Sequence, residues 1–271
     1  MPDRRFDRTR ELLGDEVFAR LRAARVTVVG LGGVGAHAAL ALARSGLGAL
    51  TLVDCDLVTP TSLNRSPVAL PRDVGRPKAQ VLAENLAESC PDTSVEALAL
   101  FVHYDTMAAV LDSRPDAVAD AIDSLNPKAA LLESCAGRGI PVASSMGASG
   151  RTDPSAVRTG DLSETRGCPL ARHLRRYLRR RGVTGGIRCV WSVEPADGPV
   201  LPPDLEGLPQ ERGRLRNRLP SSIVMPGIFG YALAGLVIGM LGEGIVREDR
   251  GWRERVGIEP TQDGISTRRR I

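Results

Sequence analysis

The chain reads Val26-Thr27-Val28-Val29-Gly30-Leu31-Gly32-Gly33-Val34-Gly35, and then runs on through Ala36-His37-Ala38-Ala39 to Arg44. A β-branched run enters a glycine-rich turn and an alanine-rich run leaves it, the pattern of strand, turn and helix. Gly30, Gly32 and Gly35 give the G-x-G-x-x-G spacing, with Gly33 inside it. That spacing serves a tight turn, close approach of backbone to a phosphate, and close packing of helix on strand. A helix starting at Gly35 or Ala36 would offer unpaired N–H groups to an anion. By itself the stretch allows either a nucleotide site or a glycine turn with nothing bound.

The segments that follow narrow the choice. Ala49–Asp54 reads as a second strand, and Asp54 lies 24 residues beyond Gly30, where nucleotide folds place an acid on ribose hydroxyls. Beyond it the pattern leaves that of a dehydrogenase. A second acid, Asp56, is followed in a loop by Asn64-Arg65, and then by Gly75-Arg76-Pro77-Lys78 before a helix from Lys78 to about Cys90. Pro77 suits a first helical turn, so Lys78 begins the helix near its positive end. An ammonium is unfavourable there unless an anion is close, which makes Lys78 a phosphate-binding candidate. Val95–Leu100, Ala117–Asp123 and Ile140–Ser144 read as further strands, alternating with helices at Tyr104–Leu111 and Pro127–Gly137. The alternation predicts an α/β fold: a doubly wound, mostly parallel, Rossmann-like sheet with a basic helical and loop-rich C-terminal portion. Asp123, at the carboxyl end of its strand, is placed to hold Mg²⁺ beside a triphosphate, since hard cations take carboxylate and phosphate oxygens.

Composition agrees with a globular protein: 271 residues, 42% hydrophobic and 25% charged. Lys78 and Lys128 are the two lysines among 36 basic residues. Each marks either a place where a compact ammonium serves better than a planar guanidinium, or composition drift. The five cysteines contain no C-x-x-C pair, which argues against a zinc knuckle and a disulfide framework, and no apolar leader precedes Val26. A cytoplasmic, reducing setting is expected. His37, His103 and His173 form no ligand cluster, and Cys189 beside Trp191 is read as a small buried residue rather than a nucleophile.

Four segments are expected: an N-terminal helical arm over 1–25, a nucleotide-binding core over 26–150, a substrate-binding and dimer-contact portion over 151–242, and a polar tail over 243–271. Within the arm, Leu12, Leu13, Val17, Phe18 and Leu21 share one helical face. Residues 166–188 carry eight arginines and no acid. There Leu170, Leu174 and Leu178 make an apolar row, and Arg172, Arg175, Arg176, Arg179, Arg180 and Arg181 fill the remainder. This basic amphipathic helix is either a solvated face or an electrostatic footprint for a phosphate backbone. Arg212, Arg214, Arg216 and Arg218 make a second cluster. Ile223–Leu241 is uncharged and nears the length of a membrane span. Pro226, four glycines and the lack of a second span predict instead a helix against the sheet or in a subunit interface, and no membrane.

Taken in order, Gly30-Leu-Gly-Gly-Val-Gly35, Asp54 with Asp56, Asn64-Arg65, Gly75-Arg-Pro-Lys78 and Asp120-Ala-Ile-Asp123 resemble the ATP site of the ThiF/MoeB adenylating superfamily, relatives of the ubiquitin-activating enzymes. The resemblance implies ATP and Mg²⁺ as cofactors, with Asp54 on the ribose, Arg65 and Lys78 on the phosphates, and Asp123 on the metal. Arg5-Phe6-Asp7-Arg8 is similar to the family's N-terminal signature, which implies that Arg8 reaches the ATP of a second subunit in a homodimer. Within the superfamily, Asp120 through Leu132, Gly147-Ala-Ser-Gly150, Pro169-Leu-Ala171 and Arg188-Cys-Val-Trp-Ser192 look like the branch that dehydrates threonylcarbamoyladenosine beside the tRNA anticodon. By that likeness the partners are tRNA, met through the Arg172–Arg181 helix, and a sulfur-relay-type helper protein. The competing readings are adenylation of a ubiquitin-like or sulfur-carrier protein, a redox enzyme, and an RNA-binding module without activity. Carrier-adenylating members usually hold two C-x-x-C zinc pairs, which this chain lacks.

Overall fold

The computed structural model describes residues 4–202 and 219–243, with the backbone of 258–259 and 267–268. Arg212, Arg214, Arg216 and Arg218, and most of the tail expected over 243–271, lie outside the described residues.

Seven strands form one sheet: β1 (Arg25–Val29), β2 (Ala49–Val53), β3 (Ser94–Leu98), β4 (Ala117–Asp120), β5 (Val142–Ser145), β6 (Val157–Asp161) and β7 (Arg188–Ser192). Their order is β3-β2-β1-β4-β5-β7-β6. Every neighbouring pair is parallel except β6 with β7, where the chain returns as an antiparallel edge. Strands buried on both faces need apolar residues at successive positions, and Val26-Thr-Val-Val29 and Leu50-Thr-Leu-Val53 supply them. Alternate residues feed two cores. Val26, Val28, Leu50, Leu52 and Ala119 face one layer of helices, and Val29, Val53, Val118 and Val142 face the other.

On the first face lie α2 (Asp15–Ala23), α3 (Gly33–Arg44), α4 (Lys78–Ser89) and α8 (Val224–Leu241), named in chain order with α1 (Asp7–Leu13) before them. On the second lie α5 (Met107–Leu111), α6 (Leu125–Arg138) and α7 (Pro169–Arg179). α8 is apolar and long enough to cross a membrane, with a mean hydropathy of 1.9. It packs instead along α3 and the sheet, as one of the two expectations had it. Gly230 lets the two helices close in: a Cβ on it would come within 2.5 Å of the Val34 carbonyl oxygen and 2.6 Å of the His37 Cβ.

The N-terminal arm departs from the expected single helix. Gly14, at φ +88°, breaks it into α1 and α2, and only Val17 and Leu21 of the predicted face are buried while Leu12 stands exposed. The arm lies by the amino ends of the strands: Phe6 approaches Gly46, just before β2, and Arg5 pairs at 2.5 Å with Asp92, just before β3. α7 also differs in detail. Its buried row is Ala171, Leu174 and Leu178, one position off at its start, because the helix meets α6 with the smaller alanine inward while Leu170 stays half-buried.

Candidate active site

β1 is flanked by β2 on one side and β4 on the other, so the connections from β1 and β4 leave in opposite directions and open a crevice at their carboxyl ends. The three spaced glycines divide the work there. Gly30 holds φ +85°, and a Cβ on it would lie 2.9 Å from the Ala121 carbonyl, so it makes the turn and lets β4's outgoing loop close in. A Cβ on Gly35 would overlap the Gly30 carbonyl oxygen. Gly32 alone of the three faces no protein atom within 4 Å, and it lines the cleft. The space a side chain would fill there is open. α3 begins at Gly33 with Gly32 as its N-cap, two to three residues earlier than expected, so its first N–H groups rise directly from the turn.

Asp54 follows β2 and ties it to the turn. Its Oδ2 accepts the Leu31 N–H at 2.5 Å and its Oδ1 accepts the Asp56 N–H at 2.7 Å. Burial pushes its carboxyl up, against the pull of Lys78. Lys78 opens α4 and donates from Nζ to Asp56 Oδ2 at 2.8 Å, while its backbone N–H donates to the Asp56 carbonyl at 3.0 Å. An anion that makes an ammonium tolerable at this helix start is therefore already supplied by the protein itself. Burial opposes the Lys78 charge, but Asp54 and Asp56 outweigh it and hold the ammonium above the usual lysine range. Arg65 donates to the Thr61 carbonyl and to Asn64 Oδ1. Burial draws its pKa down, opposed by Asp123 and Asp56. Asn64 serves the frame: its Nδ2 donates at 3.0 Å to the Ser221 carbonyl, fastening this loop to the segment that leads into α8. A cleft lies among Leu31, Gly32, Gly33, Arg65 and Lys78, with Val58, Val68 and Val81 as its apolar wall.

Two expected residues sit differently. Asp123 does not end a strand: β4 stops at Asp120, whose carboxylate takes the Ile122 N–H at 3.0 Å and turns the chain, leaving Asp123 exposed three residues on. Its charge still reaches Arg65. Among the described residues, the acidic group whose ligand atoms lie within 4.8 Å of one another is Asp54, Cys55 and Asp56, without Asp123. Burial pushes the Cys55 thiol up to about 12, so this group presents carboxylate oxygen and a protonated sulfur. Arg8 is exposed on α1, and the arm sits at the opposite end of the sheet from its own crevice. Cys189 is fully buried and burial pushes its thiol upward, so it offers no nucleophile.

Lys128 has a partner that no local pattern marks. It is fully buried and bonded to Asp120. Its scarcity as a residue type was the one signal available. On α7 and the two residues that follow it, the exposed positives are Arg172, Arg176, Arg179, Arg180 and Arg181. Arg175 turns inward and donates to the Thr165 carbonyl at 2.6 Å and to the Thr165 hydroxyl. Arg181 stacks 3.8 Å above Tyr177 and pairs with Glu133 at 3.0 Å.

Residues 6–249 match the ThiF family. Over 236 residues the chain is 36% identical to the tRNA threonylcarbamoyladenosine dehydratase of Bacillus subtilis, spanning 86% of this chain and 91% of that one. It is similar to the solved structure of the Escherichia coli tRNA N6-threonylcarbamoyladenosine dehydratase in complex with ATP, with a TM-score of 0.77 and 33% identity, over 88% of this chain and 93% of that one. The sulfur carrier protein ThiS adenylyltransferase of Escherichia coli is 32% identical over 158 residues, spanning 56% of this chain and 62% of that one.

Proposed function

The chain belongs to the ThiF family, and from that premise we propose that it is an ATP-dependent, adenylate-forming enzyme that dehydrates, and so cyclises, threonylcarbamoyladenosine in tRNA. The observation that carries this reading is reach. Likeness to the dehydratase extends over 86% of the chain and likeness to the carrier-protein adenylyltransferase over 56%. The four segments 1–25, 26–150, 151–242 and 243–271 keep their proposed roles as arm, nucleotide core, substrate and dimer portion, and tail.

The open space at Gly32 and the carboxylate and cationic donors around it fit a magnesium nucleotide. The first N–H groups of α3 take phosphate oxygens, and Lys78 and Arg65 stabilise charge that builds on them. Asp54 would hold the ribose end and Asp123 would hold Mg²⁺. The metal supplies neutralisation of phosphate charge when bound. A threonyl carboxylate oxygen attacks the α-phosphorus and pyrophosphate leaves, giving an acyl-adenylate. The carbamoyl nitrogen then closes on the activated carbonyl, loses its proton, and AMP departs with the carboxylate oxygen, so the base loses one water. Proximity of the two groups on one nucleoside lowers the second barrier. Arg172, Arg176, Arg179 and Arg180 face the tRNA phosphates. Arg8, remote from its own crevice, serves that of a second copy in a homodimer. Five free cysteines support a cytoplasmic setting.

The test is nucleoside mass spectrometry of tRNA carrying threonylcarbamoyladenosine after incubation with the protein and Mg-ATP, with AMP followed alongside. Loss of one water per AMP released is expected. Unchanged tRNA, with pyrophosphate exchange on adding a small ubiquitin-like protein, would overturn the reading in favour of carrier adenylation.

A further inference from the structure

Beneath the crevice lies a charge pair that the proposed chemistry does not use. Asp120, at the end of β4, and Lys128, in α6, have side chains that are both 0% exposed. Lys128 Nζ donates to Asp120 Oδ2 at 2.5 Å, and Ser144 Oγ, from β5, donates to the same oxygen at 2.6 Å. The other carboxylate oxygen accepts the Ile122 N–H at 3.0 Å. One carboxylate therefore joins two strands, a helix and the loop that delivers Asp123 one residue later.

That loop is gripped from its other side as well. The Ala121 N–H donates to the Val29 carbonyl at 2.8 Å, and the peptide from Ala121 to Ile122 lies so near Gly30 that a Cβ there would stand 2.9 to 3.0 Å from it.

Stability does not account for the pair. Removing two charges from water costs several kcal/mol per ion, and apolar side chains of like volume often serve a fold as well or better. A sealed pair has its use where it fixes a geometry. The residue type agrees. A guanidinium brings five N–H donors into a pocket closed to water, an ammonium three.

We infer that Lys128 and Asp120, with Ser144, form a positioning unit that holds the Ile122–Asp123 loop against Gly30 and so sets where the Asp123 carboxylate meets Mg²⁺. This rests on the role given to Asp123 above. Partners that orient a ligating carboxylate act on metal affinity through it.

Full-length variants separate positioning from packing. Lys128→Met leaves a buried carboxylate unpaired and lowers the melting temperature. Asp120→Leu/Lys128→Met removes both charges and recovers the melting temperature, yet the loop stays untied. Two readouts follow: amide hydrogen exchange at Ile122 and Asp123 in the nucleotide-free protein, and affinity for a fluorescent ATP analogue across a Mg²⁺ titration. The double variant is expected to exchange the Ile122 amide faster and to need about 10- to 100-fold more Mg²⁺ to tighten nucleotide binding, with Mg²⁺-free affinity unchanged. Ser144→Ala, a milder change, is expected to move both readouts the same way by less. Wild-type exchange and a wild-type Mg²⁺ requirement in the double variant overturn the inference; should that variant not fold, the same result in Ser144→Ala does so. Asp123→Asn keeps the two claims apart. If it leaves the Mg²⁺ requirement unchanged, the role of Asp123 fails, while exchange at Ile122 still judges the tether.

Discussion

Positive charge is used in two different ways at the crevice and on α7. At the crevice, Lys78 and Lys128 are 15% and 0% exposed and each is bonded to an aspartate, while Arg65 is drawn down by burial. On α7 and at its C-cap, Arg172, Arg176, Arg179 and Arg180 stand in solvent. Desolvated, paired charges cannot move without large cost, so they fix geometry and act over a few ångströms. Solvated charges keep their freedom and act at longer range, and salt weakens them. One set suits chemistry on a phosphate, the other capture of a polyanion.

The sharpest way to break this contrast is Asp123→Ala. It is expected to lower AMP release by about 10²–10³-fold, the scale for losing one group that stabilises transition-state charge. Binding of tRNA, followed by filter retention, should stay near wild type. Next in size is joint replacement of Arg172, Arg176, Arg179 and Arg180 by Gln. The slope of log affinity for tRNA against log salt should flatten by roughly 3, with AMP formation at saturating tRNA retained. Arg175 is left out of this set because it holds Thr165. An unchanged slope would reduce α7 to a solvated face.

The glycines sharpen the contrast within the crevice. Gly35→Ala, which overlaps the Gly30 carbonyl, should destabilise the fold by about 1–3 kcal/mol or more in denaturant unfolding. Gly32→Ala, with open space before it, should leave stability near wild type and weaken ATP binding in calorimetry.

The smallest effect concerns acid. Asp161 and Glu194 lie at the two ends of the antiparallel β6–β7 pair. Burial works against the Asp161 charge, but Ser163 and the N–H groups of Gly186 and Ile187 outweigh it and hold its carboxyl below the usual range. The N–H groups of Asp153 and Thr152 do the same for Glu194. Depressed carboxylates lend stability that is present above the unfolded pKa of about 4 and lost as pH falls through the folded value. Hydrogen exchange at Gly186 and Thr152 should therefore rise below about pH 4, and at neither amide between about pH 5 and 7 beyond the intrinsic rate. Equal protection at low pH would show that these carboxylates do not lock the edge.

Much of this was legible beforehand because it is local. The glycine spacing, the β-branched runs and the position of Asp54 are read within a few residues, and β1, β2 and α4 formed where their patterns lay. The misses share a cause. Hydropathy runs on past Asp120 and carries the expected strand to Asp123, and nothing in that run reveals a carboxylate turning back to take the Ile122 N–H. The helix start at Lys78 is legible, whereas Asp56, which its ammonium meets, lies 22 residues away. Arg175 looked like its neighbours until Thr165 claimed it.

The sequence alone determined the α/β alternation, the nucleotide turn and the existence of a basic helix, because backbone propensity and side-chain periodicity act over one or two turns of chain. Only the tertiary structure decided which charges are spent on the fold and which stay available. Asn64 finds Ser221 across 157 positions, and Lys128 finds Asp120 and Ser144 in a core closed to water. Burial sets the strength of a charge, and burial belongs to the packed whole.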